Sequence, residues 1–241
     1  MSWNANDGEN SPEGSEESPE LDIWRKLTVE RMMNKSLKNF CEAVGSDSFA
    51  PGGGCVSALS GALGASLARM VLTLTVGKKK YVEFDAENRV QLEAMAAHQQ
   101  ELMKCVDLDA DGCQWIMEAM ALPKDTESEE SHRRSVMSDA SKKANEAPMK
   151  VCQLSLELLR TLRGSINKIN RNAVSDWACG ALQAYAGLEG AAMNVKINFG
   201  SIDDQAYCRT TGEKVRVMLG EGRKLLDEVM CQVHSSLDSS N

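Results

Sequence analysis

Between Cys55 and Val76 the chain runs for 22 residues with a single charge, Arg69. A stretch of that length and polarity either crosses a lipid bilayer or forms the buried centre of a helical protein. Five hydroxyls (Ser57, Ser60, Ser66, Thr73, Thr75) and a near-central Arg would be costly in hydrocarbon, and no second comparable stretch exists. Small residues at 57, 58, 61, 64, 65 and 68 recur three or four apart and so form a stripe that lets another helix approach closely. The segment therefore reads as the central helix of a bundle or as a dimer seam, with no membrane partner.

The rest of the chain extends that reading. Aromatic residues are only 5% of the 241, while Ala, Leu, Met and Gly are plentiful, which favours close-packed helices over sheet. Residues 1–22 are acidic and nearly devoid of apolar side chains, so they read as a disordered tail ahead of a helical domain spanning 23–241. Within that domain, apolar spacing predicts helical segments over 23–44 (one or two helices), 55–76, 85–121, 131–162, 175–193 and 204–233. Pro148 lacks an amide proton and should kink or divide the fourth of these. The expected fold is all-α, a homodimeric bundle of long, partly kinked helices.

Several function classes are disfavoured. Of the net charge of −8, seven acids precede the first base, Arg25, so the body is close to neutral and offers no basic face for nucleic acid. Eight scattered cysteines form no Cys-x-x-Cys pair and read as free thiols, and no basic-then-apolar leader opens the chain; both fit a cytoplasmic protein. No dinucleotide or P-loop glycine pattern occurs. His98, His132 and His234 are far apart and match no triad or metal spacing, so no metal is expected and carboxylates are the candidate proton carriers.

The most informative carboxylate is Asp109. Leu102, Cys105, Val106, Cys113, Ile116 and Met120 form an apolar stripe on the third helix, and Asp109 falls inside it. A carboxylate aimed inward needs a partner, a raised pKa or a ligand, so Asp109 is either a structural ion-pair or capping residue or a catalytic group. Asp107 and Asp111 lie on other faces, compatible with solvated charges. Pro51, Gly52, Gly53 and Gly54 open the apolar segment as an ordinary helix entry or as an unshielded set of amides suited to a ligand. Lys78, Lys79 and Lys80 end it, either as a solvated helix terminus or as an attractor of anionic ligand groups. Asn170, Asn172, Ser175 and Asp176, then Asn194 and Asn198, offer mixed donors and acceptors of the kind a heterocycle edge requires; Ser175 also fits a helix cap.

Taken in order, Pro51–Gly54, Leu74–Tyr81 (LTVGKKKY), Val106–Ala110 (VDLDA), Leu122–Lys124 (LPK), Asn170–Asp176 (NRNAVSD) and Gly190–Asn198 (GAAMNVKIN) resemble the formimidoyltetrahydrofolate cyclodeaminase and methenyltetrahydrofolate cyclohydrolase family. The resemblance covers roughly residues 30–230. It implies an all-helical homodimer, a tetrahydrofolate derivative as substrate with no other cofactor, and Asp109 as principal acid/base with Asp107 as a lesser partner. It further implies substrate contacts from the glycine loop, the lysines and the amides just named, the lysines taking the glutamate tail of a polyglutamylated folate. Cyclodeaminase is the first expectation, with cyclohydrolase or a non-catalytic folate-binding scaffold as alternatives. Two positions depart from the family pattern: Ile169 stands where Gly is usual, and Cys55 where Ser commonly follows the glycines. A fused formiminotransferase domain is not expected ahead of the acidic tail, so a separate enzyme would supply the substrate.

Overall fold

The structure, a computed structural model, describes residues 31–238. The acidic tail and the first residues of the helix expected from 23 lie outside it. Seven α-helices follow in order: α1 (Leu37–Val44), α2 (Gly53–Thr73), α3 (Asp85–Met120), α4 (Glu127–Ala144), α5 (Glu146–Ser165), α6 (Val174–Asn198) and α7 (Gln205–Asp238). No strand occurs among the described residues, as the small-residue composition requires.

The apolar segment becomes α2 and sits at the centre, against α6, α3 and α5, with α7 closing over α5 and α6. Among the described residues α2 is the one helix long and apolar enough to cross a membrane, and 56% of that stretch is buried in the bundle. Its small-residue stripe acts as expected. A Cβ on Gly64 would come within 2.8 Å of the Gly180 carbonyl, and one on Gly187 within 2.9 Å of the Ser57 carbonyl. Any side chain there would push α2 and α6 apart. The pair is antiparallel, since Gly53 faces Asn194 at one end while Thr75 Oγ1 accepts from the Asn170 amide (2.8 Å) at the other. Around this pair Leu158, Leu159 and Leu162 of α5 and Trp177 of α6 are fully buried, and the indole N–H donates to the Leu162 carbonyl (2.8 Å). Each such leucine stabilises the fold by about 1.5–3 kcal/mol.

Three boundaries differ from the sequence expectation for identifiable reasons. The helix expected from Ser131 begins at Glu127, because Thr126 and Glu129 form a reciprocal capping box (3.2 and 2.9 Å). It divides at Asn145, three residues before Pro148, which places the proline in the first turn of α5, where its missing N–H costs nothing. The helix expected from Ser175 begins one residue earlier, behind a 3-10 turn at Arg171–Ala173 that Asn170 caps through its side chain. Ser175 is therefore an exposed first-turn residue and not the cap. At its far end α6 continues to Asn198, so Asn194 and Asn198 lie on successive turns of one helical face instead of in a following loop.

Candidate active site

The glycine loop and α3 meet at Asp109. The Ala50–Pro51 peptide is cis, Pro51 is buried, and Gly52 is the N-cap of α2. The Val56 amide returns to the Gly52 carbonyl (3.1 Å), which leaves the amides ahead of it as the exposed positive end of the helix. Asp109 fills that end. Its carboxylate accepts from the Cys55 backbone N–H and from the Cys55 thiol at 3.2 Å. Gly54 makes the approach possible, because a Cβ there would sit 2.0 Å from Oδ1 and 2.4 Å from Oδ2.

Burial raises the Asp109 pKa above the usual carboxylate value, and the two Cys55 hydrogen bonds oppose that rise without cancelling it. Among the described residues no cation pairs with it. Asp109 keeps a partial opening to solvent. An inward carboxylate with raised proton affinity and a helix terminus to stabilise its charge suits reversible proton transfer.

Asn194 and Asn198 complete this end. The Asn194 amide lies over Gly53, 3.5 Å from where a Cβ would stand, and donates to the Gly190 carbonyl (2.8 Å). Asn198 donates to Asn145 Oδ1 (2.9 Å). Sequence reasoning missed Asn145, which is fully buried at the α4/α5 break. The signal was available: Leu159, Ser155, Cys152 and Pro148, followed back at three- and four-residue spacing, lead to Asn145 and Ser141. Missed too was Cys55 as a partner of Asp109.

The remaining candidates lie elsewhere. Asp107 Oδ1 accepts from the Met32 amide (2.6 Å) and the Met33 amide (3.4 Å), and Asp111 pairs with Arg31 (3.4 Å). These acids are thus not plain solvated charges; they pin the segment around the 3-10 turn Met32–Asn34 to α3, facing away from the glycine loop. Asp107→Ala is expected to lower stability by about 0.5–2 kcal/mol, as loss of a helix cap does, while turnover per folded molecule changes little. Thermal melting beside an activity assay checks this, and a dead but fully stable variant would return Asp107 to the catalytic machinery.

Lys78, Lys79 and Lys80 are exposed at the opposite end of α2, and Asn170, Asn172, Ser175 and Asp176 gather around the start of α6. Asn170 is used structurally: its amide groups bond Thr75 Oγ1 and the Leu74 carbonyl, and its Oδ1 accepts from the Asn172 amide. Asp176 and Asn194 are separated by eighteen residues of α6, about 27 Å at the helical rise. One chain therefore brings Pro51, Gly52, Gly53, Gly54, Asp109, Asn194 and Asn198 together and leaves the lysines and the Asn170–Asp176 group at the far end. His98 bonds the Ala94 carbonyl and Glu157 between α3 and α5, a packing role.

Residues 36–217 match the family model described as formiminotransferase-cyclodeaminase. The chain belongs to this family. A methenyltetrahydrofolate cyclohydrolase of Methylorubrum extorquens is 33% identical over 205 residues, covering 85% of this chain and 99% of that protein. The mouse formimidoyltransferase-cyclodeaminase is 31% identical over 192 residues, covering 80% of this chain but 36% of the longer mouse protein. The crystal structure of a formiminotetrahydrofolate cyclodeaminase from Thermotoga maritima superimposes with a TM-score of 0.76 at 26% identity, over 85% of this chain and 98% of that one. Family membership and the buried Asp109 agree on an enzyme that works on the one-carbon unit of a folate.

Proposed function

We propose that this chain cyclises 5-formimidoyltetrahydrofolate to 5,10-methenyltetrahydrofolate with release of ammonia. The observation that carries the proposal is the Asp109 carboxylate sunk beneath Gly54 at the positive end of α2, with its proton affinity raised by burial. As N10 attacks the carbon of the protonated (amidinium) formimidoyl group, Asp109 accepts the N10 proton. It then returns that proton to the nitrogen leaving as ammonia. The amides Asn194 and Asn198 offer fixed hydrogen-bonding groups for the ring system, and the chemistry asks for no cofactor beyond the folate itself.

A second reading, methenyltetrahydrofolate cyclohydrolase, is favoured by the near-complete span of the Methylorubrum relative. There Asp109 would take a proton from water adding to the methenyl carbon and return it to N5 as the ring opens, the second water proton passing to solvent as the formyl carbonyl forms. Purified protein given 5-formimidoyltetrahydrofolate or 5,10-methenyltetrahydrofolate separates the two: growth of the methenyl absorbance supports the first, its accelerated loss the second. No change with either substrate would remove both.

The working form in this reading is a homodimer without membrane or nucleic-acid partner, in a reducing cytoplasm suited to eight unpaired cysteines, three of them exposed. The dimer is argued from one face. Val56, Leu63 and Met70 of α2 and Leu182, Met193 and Ile197 of α6 are all exposed, and helical phase puts both stripes on the same side of the antiparallel pair. A second copy docked there two-fold, with its helices running the opposite way, brings the lysine end of one chain beside Asp109 of the other. Placing charge on this face with Leu63→Lys and Met193→Lys should yield monomers in sedimentation. Replacing Lys78, Lys79 and Lys80 with Gln should raise KM for polyglutamylated folate more than for the monoglutamate. A monomeric wild type, or equal KM changes, would overturn the respective half.

A further inference from the structure

The thiol of Cys55 is fully buried, 3.2 Å from Asp109 Oδ2 and 3.3 Å from the Val106 carbonyl oxygen. It carries one proton and faces two acceptors on consecutive turns of α3. Burial and the adjacent carboxylate push the thiol pKa far above its ordinary value, so the group is a permanent donor and never a competing anion. Its own backbone N–H bonds the same carboxylate. A single residue thus donates both of these hydrogen bonds to Asp109.

We propose that Cys55 is a positioning residue that clamps the Asp109 carboxylate from the α2 side and sets its proton affinity through the strength of the side-chain donor. The inference rests on the reading of Asp109 as the proton carrier, but the clamp itself is a property of the folate-free protein. The argument is one of donor strength. A thiol is a weak donor, a hydroxyl a stronger one and a methyl none. Each stabilises the ionised carboxylate in that order, against a burial cost the three share.

Few other groups can compete for control of Asp109. Cys105 and Cys113 stand one turn to either side on α3, and both are held protonated by burial, near 11. Beyond Cys105 lies the Lys150–Glu101 pair between α5 and α3. From α6 comes the uncharged Asn194 amide, and Lys143 of α4 is turned onto the Trp115 ring, 4.4 Å from its centroid. Among the described residues the Cys55 thiol is the one side-chain donor to the carboxylate.

The test is the titration of Asp109 in the full, folate-free chain, followed by carboxyl ¹³C NMR, its signal assigned by its loss in Asp109→Asn. Cys55→Ala is expected to move the midpoint up by about half a pH unit or more, the worth of one modest hydrogen bond, and Cys55→Ser to move it down. Should the Ala variant fold poorly, the Ser comparison alone carries the test. Equal midpoints, or the reverse order, would overturn the clamp. The pH profile of kcat/KM is then read on the same variants. A limb that follows the NMR midpoint ties the clamp to turnover. A limb that stays fixed while the NMR midpoint moves leaves the clamp intact and instead removes Asp109 from the proposed mechanism.

Discussion

Asp109→Asn is expected to lower turnover by about 10²- to 10⁴-fold, the usual cost of removing a positioned proton carrier. The carboxamide keeps the shape of the side chain and an oxygen for the Cys55 amide, so folding and most folate affinity should survive. Stability gives an independent check with a definite sign. Burial raises the folded pKa of Asp109 above its ordinary 3.8, so folding binds that proton more tightly than the unfolded chain does. Below 3.8 the group is protonated in both states and exerts no penalty; as pH rises through the folded pKa, the native state comes to hold an unfavourable buried charge. Asn carries no such charge. The melting temperature of Asp109→Asn relative to wild type should therefore climb as pH rises from 3.8 toward neutrality. A variant that turns over normally would end the carboxylate mechanism, whereas a relative melting temperature that falls with rising pH would show that Asp109 is a stabilising anion.

The sequence made Asp109 visible because one physical conflict is legible without a structure: a charge on an apolar helical stripe must be accounted for. The same phase argument placed α2 at the centre of the bundle and foresaw its close partner, since small residues at helical spacing have few other uses. It overreached at the C-terminal end of the stripe, where Ile116 is only half-buried and Met120 is exposed. Distance was the other blind spot. Asn170, Asp176 and Lys78–Lys80 share residue types with the site, but type says nothing about which end of a long helix a residue occupies. Asp107 was misjudged for a related reason: its partners are backbone amides at Met32 and Met33, and backbone donors leave no trace in side-chain patterns. Asn145 escaped because the break expected near Pro148 drew attention away from the apolar spacing that runs back through it, and its burial against Asn198 makes its packing function plain.

Gly54→Ala should be nearly as damaging as loss of Asp109 itself, although it removes no chemical group. The added methyl would lie 2.0 Å from Oδ1, 2.4 Å from Cγ and 2.4 Å from Oδ2, so either the carboxylate or the start of α2 must move. Neither shift is small. The carboxylate is held by the Cys55 amide and thiol, and α2 is locked to α6 by backbone-to-backbone contact at Gly64 and Gly187. Overpacking of a fixed site costs about 1–3 kcal/mol, and displacing a proton carrier by an ångström costs on the order of 10²-fold in rate. The neighbouring glycine supplies the control. A Cβ on Gly53 would meet the Asn194 amide at 3.5 Å, an ordinary van der Waals contact on an exposed residue. Gly53→Ala should therefore leave the melting temperature and kcat nearly unchanged, with at most a modest rise in KM if Asn194 touches the folate. Melting curves and steady-state kinetics on the two variants side by side decide the matter. If Gly54→Ala matched Gly53→Ala in activity, the Asp109 carboxylate could not be seated beneath the glycine loop, and the assignment of this end of the bundle as the active site would fall with it.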